Sequence, residues 1–115
     1  DFFDLNTEKK FDCIVMGEVL EHVEKPFLML ERISSLLKDD GRAFITTVIN
    51  APAIDHIYLF PDKKSVLDMA EQAGLYVVDY ICATAGDVPI EKAEKKKMAI
   101  DIAMVLTKQE GKENK

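Results

Sequence analysis

At 115 residues the chain has room for a single domain, and 48% hydrophobic residues are enough to give that domain a core. A net charge of −6 leaves no basic footprint for nucleic acid, so nucleic-acid binding is not expected. No apolar stretch approaches the ~20 residues that span a bilayer, and no secretory signal is recognised, so no membrane association and a cytoplasmic location are expected.

The opening Asp1-Phe2-Phe3-Asp4-Leu5 has no initiator Met and reads as the middle of a domain, so the chain's ends are not expected to be those of a natural domain. Phe11 to Gly17 is a short, nearly continuous apolar run, the pattern of a parallel strand buried on both faces. Glu18 to Glu24 gives one or two helical turns. Pro26 then begins a helix at a position that needs no N–H donor. Phe27, Leu30, Ile33 and Leu37 follow at helical spacing, and Leu36 widens the stripe. Asp39-Asp40-Gly41 is the expected stop, with Gly41 taking a left-handed conformation. Ala43 to Ile49 is β-branched and aromatic, a second buried strand. Asn50 to Pro61 is a loop carrying His56. Asp62 is a plausible N-cap for a helix holding Val66, Met69, Ala70 and Ala73, closed by Gly74. Leu75 to Cys82 is a third strand. Ala83 to Lys97 is a charged connector with a helical turn around Ile90 to Lys95, and Met98 to Thr107 is a fourth strand. Lys108 to Lys115 is a polar tail expected to be disordered.

Strands alternating with helices indicate the α/β class, with a parallel sheet and covered faces. Two successive strands at the end break that rhythm and let the last one reverse direction. Cys13 and Cys82 sit inside apolar runs and read as buried thiols in a reducing compartment. Met29, Met69, Met98 and Met104 read as core.

The run FDCIVMGEVLEHVEKP, followed by a helix ending in LLKDDGRAFITTVIN, resembles the middle of class I S-adenosylmethionine-dependent methyltransferases. It is most similar to the small-molecule type that includes the ubiquinone-biosynthesis O-methyltransferases. HIYLFPDKKSVLDMAEQAGLYVVDY resembles that family's next helix–glycine–strand unit. The resemblance covers residues 1–107 and implies a three-layer Rossmann-like sheet in the order 3-2-1-4-5-7-6, with strand 7 antiparallel. This chain would supply strands 4-5-7-6, the C-terminal half of the domain. The family's glycine-rich turn and its ribose-binding acid would lie upstream. The glycines at 17, 41, 74, 86 and 111 form no GxGxG.

Asp1 resembles the carboxylate that accepts from the adenine amino group in this family, with Phe2 beside the ring; the alternative is an ordinary loop residue. Met16 and Gly17 end the first strand, where open α/β sheets bind ligands, and a small residue there lets the backbone approach a cofactor. The alternative is steric need at a strand–helix turn. Glu18, Glu21 and His22 form E-x-x-E-H, whose spacing would put all three side chains on one helical face. Such a set would hold magnesium or manganese, as a matching motif does in the quinone-pathway enzymes, with His56 completing it. The alternative has Leu20 and Val23 packing and the acids solvated. His22 or His56 would otherwise serve as a general base. Asp12 orders the strand entrance, and Glu91 to Lys97 is a solvated face.

The function implied is methyl transfer from S-adenosylmethionine to a small-molecule acceptor by the intact parent protein. The fragment alone, lacking the glycine-rich motif, would be inactive. The competing expectation is a non-catalytic methyltransferase-like module, a scaffold or dimerisation partner. RNA as acceptor is disfavoured by the acidic balance. An apolar strand at 11–17 without its second neighbour would leave an open edge and favour a homo-oligomer joined there.

Overall fold

The structure, a computed structural model, describes residues 9–51 and 57–108. The expectations placed on Asp1, Phe2, His56 and the tail beyond residue 108 lie outside the described residues. In chain order the elements are β1 (Phe11–Gly17), a 3-10 turn (Leu20–His22), α1 (Pro26–Leu36), β2 (Leu37–Ile49) and α2 (Lys63–Gln72). They are followed by β3 (Leu75–Thr84), a 3-10 turn (Ala85–Asp87), α3 (Ile90–Lys95) and β4 (Ile100–Lys108). Lys108 is therefore the last residue of a strand and pairs with Leu75, not the first of a tail.

The sheet runs β1-β2-β4-β3. β1 and β2 are parallel, and β4 is antiparallel to both of its neighbours. This is the order expected for strands 4-5-7-6 of a Rossmann-like methyltransferase sheet. A parallel pair needs a crossover, and α1 provides it. Pro26 opens that helix, and Met29, Leu30, Ile33 and Leu36 turn one face to the core.

The helix does not stop at Asp39-Asp40-Gly41. Leu37 leaves it directly in extended geometry (φ −79°, ψ 143°) and starts β2. The three residues lie within that strand, where the pairing with β1 jumps from Phe11↔Leu37 to Cys13↔Arg42. Gly41 is not left-handed. It is small because a Cβ there would lie 2.9 Å from the Phe11 carbonyl oxygen and 3.1 Å from that of Asp12. A backbone crossing, not a cap, requires the glycine. Gly74, by contrast, closes α2 with φ +94°, as a terminating glycine does.

Along β4 the buried residues are Ile100, Ile102, Met104 and Leu106, and along β2 they include Ala43, Ile45, Thr47 and Ile49. This alternation turns one sheet face to a single core that also takes in Met29, Leu30 and Ile33 of α1, Val66 and Ala70 of α2, and Ala93 of α3. The described helices thus cover one face, giving two of the three expected layers. On the other face Val15 is 73% exposed, Ile81 71% and Phe44 42%. Cys13 is also exposed and Cys82 half-buried, so the reading of two buried thiols is corrected. A strand with helices on only one side leaves alternate residues in solvent. Of the methionines read as core, Met29 and Met104 are buried, and Met69 and Met98 are partly buried and pack against the core.

Candidate functional site

The parallel pair ends at Gly17 of β1 and Ile49 of β2, and in open α/β sheets this C-terminal end receives ligands. Gly17 sits beside Thr46, and the Glu18 amide donates to both the Thr46 carbonyl (3.0 Å) and Thr46 Oγ1 (3.1 Å). Among the described residues, a Cβ at Gly17 would meet only Thr46 Oγ1, at an ordinary 3.7 Å. The strand–turn junction itself therefore does not demand a glycine here. Glu18 takes a left-handed backbone, φ 56°, which costs a non-glycine residue on the order of 1–3 kcal/mol and gathers at functional sites.

Leu20, the first residue of the following 3-10 turn, is fully buried. Glu21 is buried as well, its side chain 2% exposed, and Thr47 Oγ1 donates to its Oε1 at 2.6 Å. Its other oxygen, Oε2, lies 3.9 Å from Nε2 of His22, whose side chain is 36% exposed. The Glu21 carbonyl accepts the amides of Ile57 (2.8 Å) and Tyr58 (3.0 Å). The same returning segment also accepts from Asn50: the Asn50 amide reaches the Phe60 carbonyl at 2.8 Å, and Nδ2 reaches that of Pro61 at 2.8 Å. Ile49 and Phe60 form a parallel bridge, and the Tyr58 and Phe60 rings stand 4.8 Å apart.

The expected placement of Glu18, Glu21 and His22 on one helical face is corrected. Glu18 precedes the turn in left-handed geometry and is exposed, whereas Glu21 points inward to Thr47. Among the described residues no three His, Cys, Asp or Glu side chains are arranged to hold a metal ion. Glu18, Glu21 and His22 as placed thus do not make a magnesium or manganese site, and His56, the expected completion, lies outside the described residues. The alternative of solvated acids fails for Glu21 too. Leu20 and Val23 do pack, as that alternative held. Asp12, expected at the strand entrance, pairs with Lys38 at 3.2 Å. Within the charged run, Glu94 is not merely solvated, since its Oε2 accepts the Lys63 amide at 3.0 Å. Thr47 had no mark in the sequence: in AFITTVI it is one more β-branched strand residue, and only the strand's parity reveals which threonine faces inward.

A trough of about 460 Å³ lies on the uncovered sheet face and reaches the end of β1, lined by Val15, Met16, Gly17, Phe44, Thr46 and Ile81 among others. Its walls are almost wholly apolar, which suits packing as well as a small-molecule cleft.

A family model described as a methyltransferase domain matches residues 2–80. The chain belongs to the class I S-adenosylmethionine-dependent methyltransferases. It is 41% identical over 61 residues to a ubiquinone biosynthesis O-methyltransferase of Glaesserella parasuis, covering 53% of this chain and 25% of that enzyme. Among solved structures, the [4+2]-cyclase SpnF superposes with a TM-score of 0.71 at 14% identity, over 94% of this chain and 53% of that one. The N-methyltransferase NodS of Bradyrhizobium japonicum, solved with S-adenosylhomocysteine, gives 0.67 at 13% identity, over 95% and 52%. The chain therefore spans a quarter of the curated relative and about half of these folds. Likeness at this identity establishes the Rossmann-like fold, which here houses a cyclase as well as a methyltransferase. No described helix is long and apolar enough to cross a membrane.

Proposed function

We propose that the protein containing this chain transfers the methyl group of S-adenosylmethionine to a small-molecule acceptor, and that this chain forms the acceptor-side half of the site. The observation that carries this reading is the C-terminal end of β1, where Gly17 leaves bare backbone that the fold itself does not require. Met16 and Gly17 would line one side of the cofactor, and Asp1 and Phe2 its adenine end. Bound there, S-adenosylmethionine would supply an electrophilic methyl group. The chain's residues would align the acceptor and keep water from it. His22, half exposed beside the Glu21 carboxylate, would take a proton from the acceptor, with His56 as the second candidate imidazole. The net charge of −6 favours a small molecule over RNA, and two cysteines outside any disulfide favour the cytoplasm.

The glycine-rich turn would come from the other half of the domain, which would also pair with β1 and cover the open face. Without that half, the chain is expected to bind cofactor poorly and to self-associate through β1. The second reading, a non-catalytic module acting as scaffold or dimerisation partner, draws its support from that same apolar face.

In the full-length protein, Gly17→Val tests the first reading. A Cβ has room here and the residue is exposed, so the thermal midpoint should hold while cofactor affinity falls about tenfold, a 1.4 kcal/mol effect. Unchanged affinity would remove β1 from the cofactor site and leave the module reading in its place.

A further inference from the structure

Burying a carboxylate is costly unless its oxygens are engaged. Glu21 is 2% exposed, and the hydroxyl that engages it belongs to Thr47, which is fully buried on β2. At 2.6 Å this is a short, charge-assisted contact of the strong kind. The same residue's carbonyl uses both lone pairs, one on the Ile57 amide and one on the Tyr58 amide. Glu21 thus joins three pieces of chain that are distant in sequence: the turn after β1, the inner face of β2, and the segment that returns after β2. None of this needs a metal.

We propose that Glu21 is a positioning residue whose Thr47-anchored carboxylate fixes the orientation of its own carbonyl, and that this carbonyl holds residues 57–60 as a lip at the C-terminal end of the sheet. The segment alternates accordingly. Phe60 is fully buried beside Ile49, while Ile57 and Leu59 are 60% and 51% exposed. The clamp therefore presents two aliphatic side chains at the end where ligands of such sheets bind. That this lip faces an acceptor rests on the methyl-transfer reading; the clamp itself does not.

Hydrogen exchange on the 115-residue chain tests the clamp with neither cofactor nor acceptor present, so its outcome is separable from that reading. Thr47→Val keeps the shape and removes the donor. It should speed exchange of the Ile57 and Tyr58 amides about tenfold while amides of the β2–β4 pairing stay within about twofold. Thr47→Ser, which restores the hydroxyl, should restore protection. Glu21→Gln retains an oxygen for Thr47 and should leave both amides protected, and it serves if the valine variant does not fold. Added magnesium chloride should change nothing. Unchanged protection in Thr47→Val, or uniform acceleration across the sheet, would overturn the proposal. So would loss of protection in Glu21→Gln, or protection that depends on magnesium.

Discussion

A methyl group added at Gly41 would press on the carbonyl oxygens of Phe11, Asp12 and Lys38, the nearest at 2.9 Å. These are backbone atoms and cannot swing aside as a side chain would. Gly41→Ala should therefore destabilise the fold by about 1–3 kcal/mol, the usual cost of overpacking, as read by denaturant unfolding. Gly17→Ala, with its nearest contact at 3.7 Å, should be nearly neutral in the same assay. A midpoint unaltered by Gly41→Ala would mean that the β1–β2 irregularity relaxes freely. At this scale the sequence is a partial guide. It marked Gly41, but for a helix cap, because the DDG pattern looks the same whether the chain turns or crosses another strand. It marked Glu21 without its partner, because the burial of Thr47 depends on which face of β2 meets the helices.

The helices and strands were more legible, since hydrophobic period and local capping chemistry act within a few residues. Asp62 is the clearest case. It caps α2 by accepting from the Ser65 amide at 2.8 Å and the Ser65 hydroxyl at 2.7 Å. Those two bonds, the hydroxyl's first, hold its carboxyl below the usual carboxylate range. Because the folded state has the lower pKa, the cap contributes fully above the ordinary carboxylate range. Its contribution is lost as pH falls through the folded value. Asp62→Ala should cost about 1 kcal/mol near neutral pH, and the gap from the parent chain should close in acid, below the carboxylate range. A gap independent of pH would assign the loss to something other than the ionised cap. The two edge strands differ in a way that patterning did not reveal. β3 carries an irregularity between Val77 and Asp79, and the Asp79 carboxylate occupies the Tyr80 amide at 2.8 Å. Both features blunt an edge. β1 has its irregularity only at its start, between Phe11 and Cys13, where its one charged residue, Asp12, pairs with Lys38; the stretch from Cys13 to Gly17 carries neither feature.

Across the whole molecule, the unblunted edge of β1 adjoins the uncovered apolar face. The strand order was readable from the family resemblance, and the open edge of β1 was expected from it. The choice of residue that probes it did not follow. Ile14 packs against the core, whereas Val15 is 73% exposed on the open side of the edge strand. Val15→Lys should therefore weaken self-association of the chain without loosening its core, as read by light scattering with thermal unfolding alongside. A parent chain that is monomeric at high concentration would contradict the expected assembly.

On the proposed reading, the end of β1 and a glycine-rich turn would meet at the cofactor. A calorimetric titration of S-adenosylmethionine into the 115-residue chain, alone and then joined to a glycine-rich half from the same family, tests this directly. The prediction is no resolvable binding by the chain alone and micromolar binding once joined, reduced by Gly17→Val. Micromolar affinity in the isolated chain, or none in the joined protein, would contradict it.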